Sequence, residues 1–211
     1  MEFEVNNLEE IVELIMKKMS ESSISTSSNS KNGVFENVDE AIAEAKKAQT
    51  ILFSSKLELR ERIIASIRDT LKPYITELSE LAVKETGMGR VSDKEIKNRI
   101  AIEKTPGLED LKAFAFSGDD GLTVMELSPY GVIGAITPST NPSETVICNS
   151  IGMIAAGNAV IFAPHPGAKR TSIRAVELIN EAIKKVGGPD NLVVTITEPS
   201  IENTEKIIAN P

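Results

Sequence analysis

GVIGAITPSTNPSETVICNSIGMIAAGNAVIFAPHPGAK, residues 131–169, decides the fold. GVIGAIT is an apolar run of strand length, PSTNP breaks it, residues 144–156 carry a helix closed by Gly157, and AVIFA is a second apolar run. The alternation continues with a helix over 169–186 ended by Gly187 and Gly188, a third strand in NLVVTIT and a last helix over 201–208. Strand and helix alternating three times predict an α/β fold, the first half of a doubly wound, Rossmann-like parallel sheet that binds its ligand at the carboxyl ends of the strands. Three strands make half of such a crevice, so the site within residues 131–211 is expected to be incomplete.

Upstream, the pattern over 38–105 is helical. Val38, Ala41, Ile42 and Ala45 share a face, and Leu59, Ile63, Ile64, Ile67 and Leu71 form a second stripe. Pro73 then interrupts, and a further helix runs to about Glu85 with Gly87 past its end. Ser92 with Glu95 reads as the capping box of a fourth helix. Residues 34–120 are therefore expected to be the helical part of the domain, with a weakly alternating strand in residues 121–130.

At the start, Leu8, Ile11, Val12, Ile15, Met16 and Met19 fall on one helical face, followed by a Ser-rich linker over residues 20–33. A tethered amphipathic helix over 1–19 has three readings: packing on its own domain or a neighbour, lying on a membrane, or docking in a protein groove. Five Glu against two Lys in this segment have the wrong sign for anionic lipid.

Composition narrows the class. The 211 residues are 41% hydrophobic, enough for a sizeable core, with 31 acidic against 23 basic residues. No basic run offers a surface for phosphate backbones, so nucleic acid is not an expected partner. One cysteine and one histidine form neither an internal disulfide nor a zinc site of the usual spacing. No apolar run approaches the roughly 18 residues of a membrane span, and the acidic start is unlike a secretory signal, so a cytoplasmic location is expected.

Cys148 lies in the apolar TVICNS with no cationic neighbour within a turn in sequence, and reads as a buried structural thiol. His165 follows a strand's carboxyl end and reads either as a ligand contact or as a hydrogen-bonded loop residue. Lys169 and Arg170 open the next helix, where they either meet a phosphate or are ordinary surface charges. Gly131 and Gly134 lie in the strand, so no G-x-G-x-x-G turn exists. Asn141, at the strand's end and directly before a helix, is either a turn residue or an amide placed to donate to a developing oxyanion.

Taken together, GVIGAITPSTNP and AAGNAVIFAPHPGAK resemble the aldehyde dehydrogenase superfamily. The longer wording, with ETGMGR, PGLEDL and SGDDGLTVMELSPYG, is similar to its CoA-acylating acetaldehyde and propionaldehyde branch of bacterial microcompartments. The resemblance covers residues 34–211 and is to the N-terminal portion of that fold. It implies the reaction of a short aldehyde with CoA and NAD⁺ to acyl-CoA and NADH through a cysteine thioester. Asn141 would be an oxyanion-hole donor. Thr137, Pro138, Ser139, Ala163, Pro164, His165, Pro166, Gly167 and Lys169 would border the cofactor. Ala163 and Pro166 stand where hydrolytic relatives contact the adenosine ribose, which leaves NADP as well as NAD open. The family's nucleophilic cysteine would lie beyond Pro211, so this chain is expected to be inactive alone. The resemblance further implies a homo-oligomer bridged by a hairpin that includes residues 121–130, its strand left with an unpaired edge. Residues 7–19 would bind microcompartment shell proteins and place the enzyme in the lumen. The competing reading is a non-enzymatic shell-docking or subunit-assembly module.

Overall fold

A computed structural model describes residues 32–210. The first helix and most of the linker expected over residues 1–33 lie outside the described residues.

The strands are β1 (Val34–Phe35), β2 (Phe114–Gly118), β3 (Gly121–Met125), β4 (Val132–Thr137), β5 (Ala159–Pro164) and β6 (Val193–Ile196). The helices are α1 (Val38–Phe53), α2 (Leu57–Leu71), α3 (Ile75–Thr86), α4 (Val91–Lys104), α5 (Pro142–Ala155), α6 (Lys169–Lys185) and α7 (Ile201–Ala209). The main sheet is parallel, in the order β1-β6-β5-β4. The expected β-α-β-α-β-α alternation is present, with helix limits within two residues of those read from the sequence. β1 adds a fourth strand of two residues, too short to leave a periodic signal.

Every residue of β5 and β6 is buried, which requires helices on both faces of the sheet. α1 and α7 pack together over the sheet, as do α5 and α6, and α2, α3 and α4 form a further layer on α5 and α6. The stripe Ile63, Ile67 and Leu71 is fully buried there, at 0% exposure for each residue. Arg174 of α6 ties the outer layer down, with its Nε 2.7 Å from Glu77 and its guanidinium 5.4 Å from the Tyr74 ring centroid. The Glu77 hydrogen bond holds its pKa above the ordinary guanidinium value.

Glycines end the helices where the sequence placed them. Gly87 (φ 67°) and Gly157 (φ 84°) take the left-handed conformation that a side chain resists. A Cβ on Gly157 would come within 2.8 Å of the buried Arg60 guanidinium, which donates to Ala155 O at the end of α5. Burial pulls the Arg60 pKa below its ordinary value.

Two sequence expectations are corrected. The segment 34–120 is not wholly helical: β2 lies within it and pairs antiparallel with β3, forming a two-stranded hairpin in which each strand keeps an unpaired outer edge among the described residues. The Ser92–Glu95 capping box does not form. α4 begins at Val91 after Arg90, whose guanidinium binds Asp93, and Glu95 instead accepts from the Thr76 hydroxyl at 2.6 Å.

Candidate functional site

Parallel pairing brings the carboxyl ends of β4 and β5 together, with Thr137 opposite Pro164 and His165 N donating to Thr137 O at 3.1 Å. The loop residues singled out in the sequence thus collect along one end of the sheet. Ala163 and Pro164 are buried as the last residues of β5, whereas Pro138, His165, Pro166 and Gly167 are exposed and Ser139 and Lys169 are partly so. Thr137 is buried and its hydroxyl has no partner among the described residues.

His165 Nδ1 accepts from Gly167 N at 3.0 Å, which shapes its own loop. Lys169 is ion-paired with Glu198, which follows β6. The start of α6, where a phosphate could have met Lys169 and Arg170, is occupied by a carboxylate of the protein itself. Glu85 accepts from Arg170 N at 2.7 Å, Thr171 N at 2.8 Å and the Thr171 hydroxyl at 2.7 Å. An anion at a helix N-terminus satisfies the free amides and the dipole. Sequence reading could not see Glu85 there, because it lies on α3, about 85 residues away.

Asn141 follows β4 and caps α5, with Pro142 at the first helical position. An N-cap asparagine ordinarily turns its side-chain oxygen back onto the first turn, a bond worth about 1 kcal/mol. Asn141 does not: its backbone is at φ −138°, ψ 63° and its side chain makes no cap hydrogen bond. Its Oδ1 accepts instead from Lys97 Nζ of α4 at 3.0 Å. The two N–H bonds of the amide have no partner among the described residues. One turn earlier on α4, Lys94 is buried and donates to Thr140 O at 2.8 Å, and its ammonium lies 3.9 Å from the buried Glu144.

Cys148 is exposed, which corrects its reading as a buried thiol. α5 buries Val146, Ile147, Ser150, Ile151 and Ile154, and Cys148 falls off that face. It lines a groove between α4 and α5 with Asn141, Thr145, Asn149, Ile100 and Lys97. The apolar neighbours in sequence misled because they belong to the other side of the helix. Among the described residues no cluster of His, Cys, Asp and Glu could hold a metal ion, and no helix is long and apolar enough to cross a membrane.

A parallel sheet with helices on both faces and a half-formed crevice at its carboxyl end defines the class: a doubly wound, Rossmann-like α/β fold. Residues 12–211 match the model of the aldehyde dehydrogenase family, and the chain belongs to that family. It is 46% identical over 205 residues to the acetaldehyde dehydrogenase (acetylating) EutE of Salmonella typhimurium, covering 97% of this chain and 44% of that protein. The chain thus spans less than half the length of the curated relatives it matches. The structure of Rhodopseudomonas palustris propionaldehyde dehydrogenase with bound CoA and an acylated cysteine superposes with a TM-score of 0.84 at 52% identity, over 86% of this chain and 42% of that one. A propionaldehyde dehydrogenase from the fucose-utilisation bacterial microcompartment of Clostridium phytofermentans gives 0.80 at 49% identity, over 82% and 40%.

Proposed function

We propose that this chain is the N-terminal part of a CoA-acylating aldehyde dehydrogenase, converting a short aldehyde, CoA and NAD⁺ to acyl-CoA, NADH and a proton. One observation carries the reading: Asn141 forgoes its helix cap, is held by its oxygen, and offers both amide N–H bonds at the end of β4. In the proposed reaction a thiolate forms a C–S bond to the aldehyde carbon and the carbonyl π pair moves onto oxygen. Asn141 Nδ2 donates to that oxygen, stabilising charge that develops only as the bond forms. The C=O bond reforms as the C–H electron pair departs, and the CoA thiolate then displaces the enzyme thiolate to release acyl-CoA. When bound, NAD⁺ or NADP⁺ supplies the hydride acceptor, and the carboxyl ends of β4 and β5 with the loop from His165 to Lys169 would hold it. The unpartnered Thr137 hydroxyl at that edge suits a polar ligand, whereas Glu85 keeps a phosphate from the start of α6.

The reading assigns the nucleophile to the portion of the relatives that this chain does not span. Cys148 is a poor candidate because it lies seven residues along α5 from Asn141, a rise of about 10 Å, whereas attacking and accepting atoms must converge within roughly 3–3.5 Å. Residues 7–19 are proposed to dock on shell proteins, a role supported by their apolar stripe and by the chain's likeness to a microcompartment enzyme. The β2–β3 hairpin, with Phe114, Phe116, Leu122 and Val124 exposed, is proposed to join subunits.

The test is NADH formation from acetaldehyde or propionaldehyde with CoA and NAD⁺, using the native gene product that carries these residues. The expected result is turnover that falls on the order of 10²–10³-fold in Asn141→Ala, and none from residues 1–211 alone. Turnover by the 211-residue chain that disappears in Cys148→Ala would overturn the assignment of the nucleophile. No turnover by the native product, with shell binding lost on removing residues 1–19, would favour the docking module.

A further inference from the structure

Two lysines one turn apart on α4 reach the short segment that carries Asn141. Lys94 Nζ donates to Thr140 O at 2.8 Å, and Lys97 Nζ donates to Asn141 Oδ1 at 3.0 Å. The i,i+3 spacing puts both ammonium groups on one side of the helix. Their burial differs: Lys94 is 3% exposed and shares its charge with Glu144, whereas Lys97 is exposed and bonded to Asn141.

We propose that Lys97 is a positioning residue for the oxyanion donor, fixing the Asn141 amide so that Nδ2 faces the reacting carbonyl, while Lys94 holds the backbone that carries it. This rests on the reading of Asn141 given above. A carboxamide bound only through its nitrogen can rotate, and at a helix N-cap its oxygen is drawn to the helix amides. A cationic donor on Oδ1 removes that alternative. It does so with a charge-assisted bond, roughly twice as strong as a neutral one. It also polarises the amide, so that the N–H bonds opposite become better donors. Lys97 acts through Asn141 in this arrangement. Its loss should therefore lower the rate of the chemical step and leave aldehyde affinity in place.

Two measurements test this. In the native gene product, Lys97→Met is expected to lower kcat about 10- to 10²-fold with the aldehyde KM within about twofold, and Lys97→Arg to recover most of the loss. In ¹⁵N spectra of the 211-residue chain, Lys97→Met is expected to move the Asn141 side-chain amide pair toward the shifts of a free carboxamide, with the fold unchanged because Lys97 is exposed. Wild-type kcat in Lys97→Met, or an Asn141 amide pair that does not respond, overturns the proposal. Asn141→Ala run in parallel separates the two claims. Full activity there removes Asn141 as the oxyanion donor, whereas a deep loss with Lys97→Met still at wild-type rate removes only the positioning role.

Discussion

Replacing Lys94 by Met should be the most damaging single change in the helical layer. Lys94 is 3% exposed and Glu144 8%, with the ammonium 3.9 Å from Oε1 and 2.8 Å from Thr140 O. Glu144 has no other cation among the described residues, and its Oε1 accepts no hydrogen bond while Oε2 takes the Ser143 hydroxyl at 3.1 Å. Removing one member of a buried pair leaves an uncompensated charge and costs about 3–5 kcal/mol, whereas replacing both by apolar groups of similar size is close to neutral. With a urea dependence of about 2 kcal/mol per molar, Lys94→Met should lower the unfolding midpoint by about 2 M, a large part of an ordinary domain's stability. Lys94→Met with Glu144→Met should recover most of that. The assay is urea unfolding of the 211-residue chain followed by circular dichroism, in a four-member mutant cycle. A single-variant shift below about 0.5 M, or a double variant as unstable as the single one, would refute the uncompensated-charge argument.

Three further outcomes follow from side-chain contacts of the fold. Cys148 should react stoichiometrically with a thiol reagent in the folded chain, and Cys148→Ala should change stability by less than about 0.5 kcal/mol in the same urea assay. Glu85→Ala should cost about 1–2 kcal/mol, because three donors at the start of α6 lose their acceptor, and hydrogen exchange of Arg170 and Thr171 amides should rise ahead of the rest of the helix. Glu109 is held below its ordinary pKa by bonds from its own backbone amide and that of Gly107, with Arg68 adding to the effect. Its folded value lies below its unfolded one. Its contribution is therefore present above the unfolded pKa and lost as pH falls through the folded value, and an NMR titration should show its midpoint below that of exposed glutamates.

How much of this was legible in the sequence depends on the range of the interaction. The strands GVIGAIT, AVIFA and NLVVTIT and the buried stripe of α2 could be read because burial repeats along the chain itself. Gly87 and Gly157 could be read because a backbone conformation demands them. Asn141 was legible as a candidate from its place between strand and helix, and more strongly from the family wording around it. The Ser92–Glu95 box failed because the pattern is local and its members found better partners, Glu95 going to Thr76 across the α3–α4 contact. The exposure of Cys148 was not legible because its apolar sequence neighbours lie on the other face of α5.

What no local pattern could show is where the lysines of α4 point. Its charged and apolar positions have weak periodicity, and Lys94, Lys97 and Lys104 look alike on the page. Their fates are set by the crossing of α4 over α5, a tertiary fact: one is buried against Glu144, one binds Asn141, one lines the groove. The helical segment that carried no chemical signal in sequence therefore supplies the contact that holds the Asn141 side chain. Asn141 breaks the local rule for its position, giving up a cap that an asparagine ordinarily supplies, and such departures gather where geometry serves a ligand rather than stability. The sheet puts Asn141 just past the strand end, and the α4 layer supplies the Lys97 contact to its amide oxygen. Swapping residues 91–104 for an unrelated helix of equal packing should accordingly preserve the sheet and free the Asn141 amide.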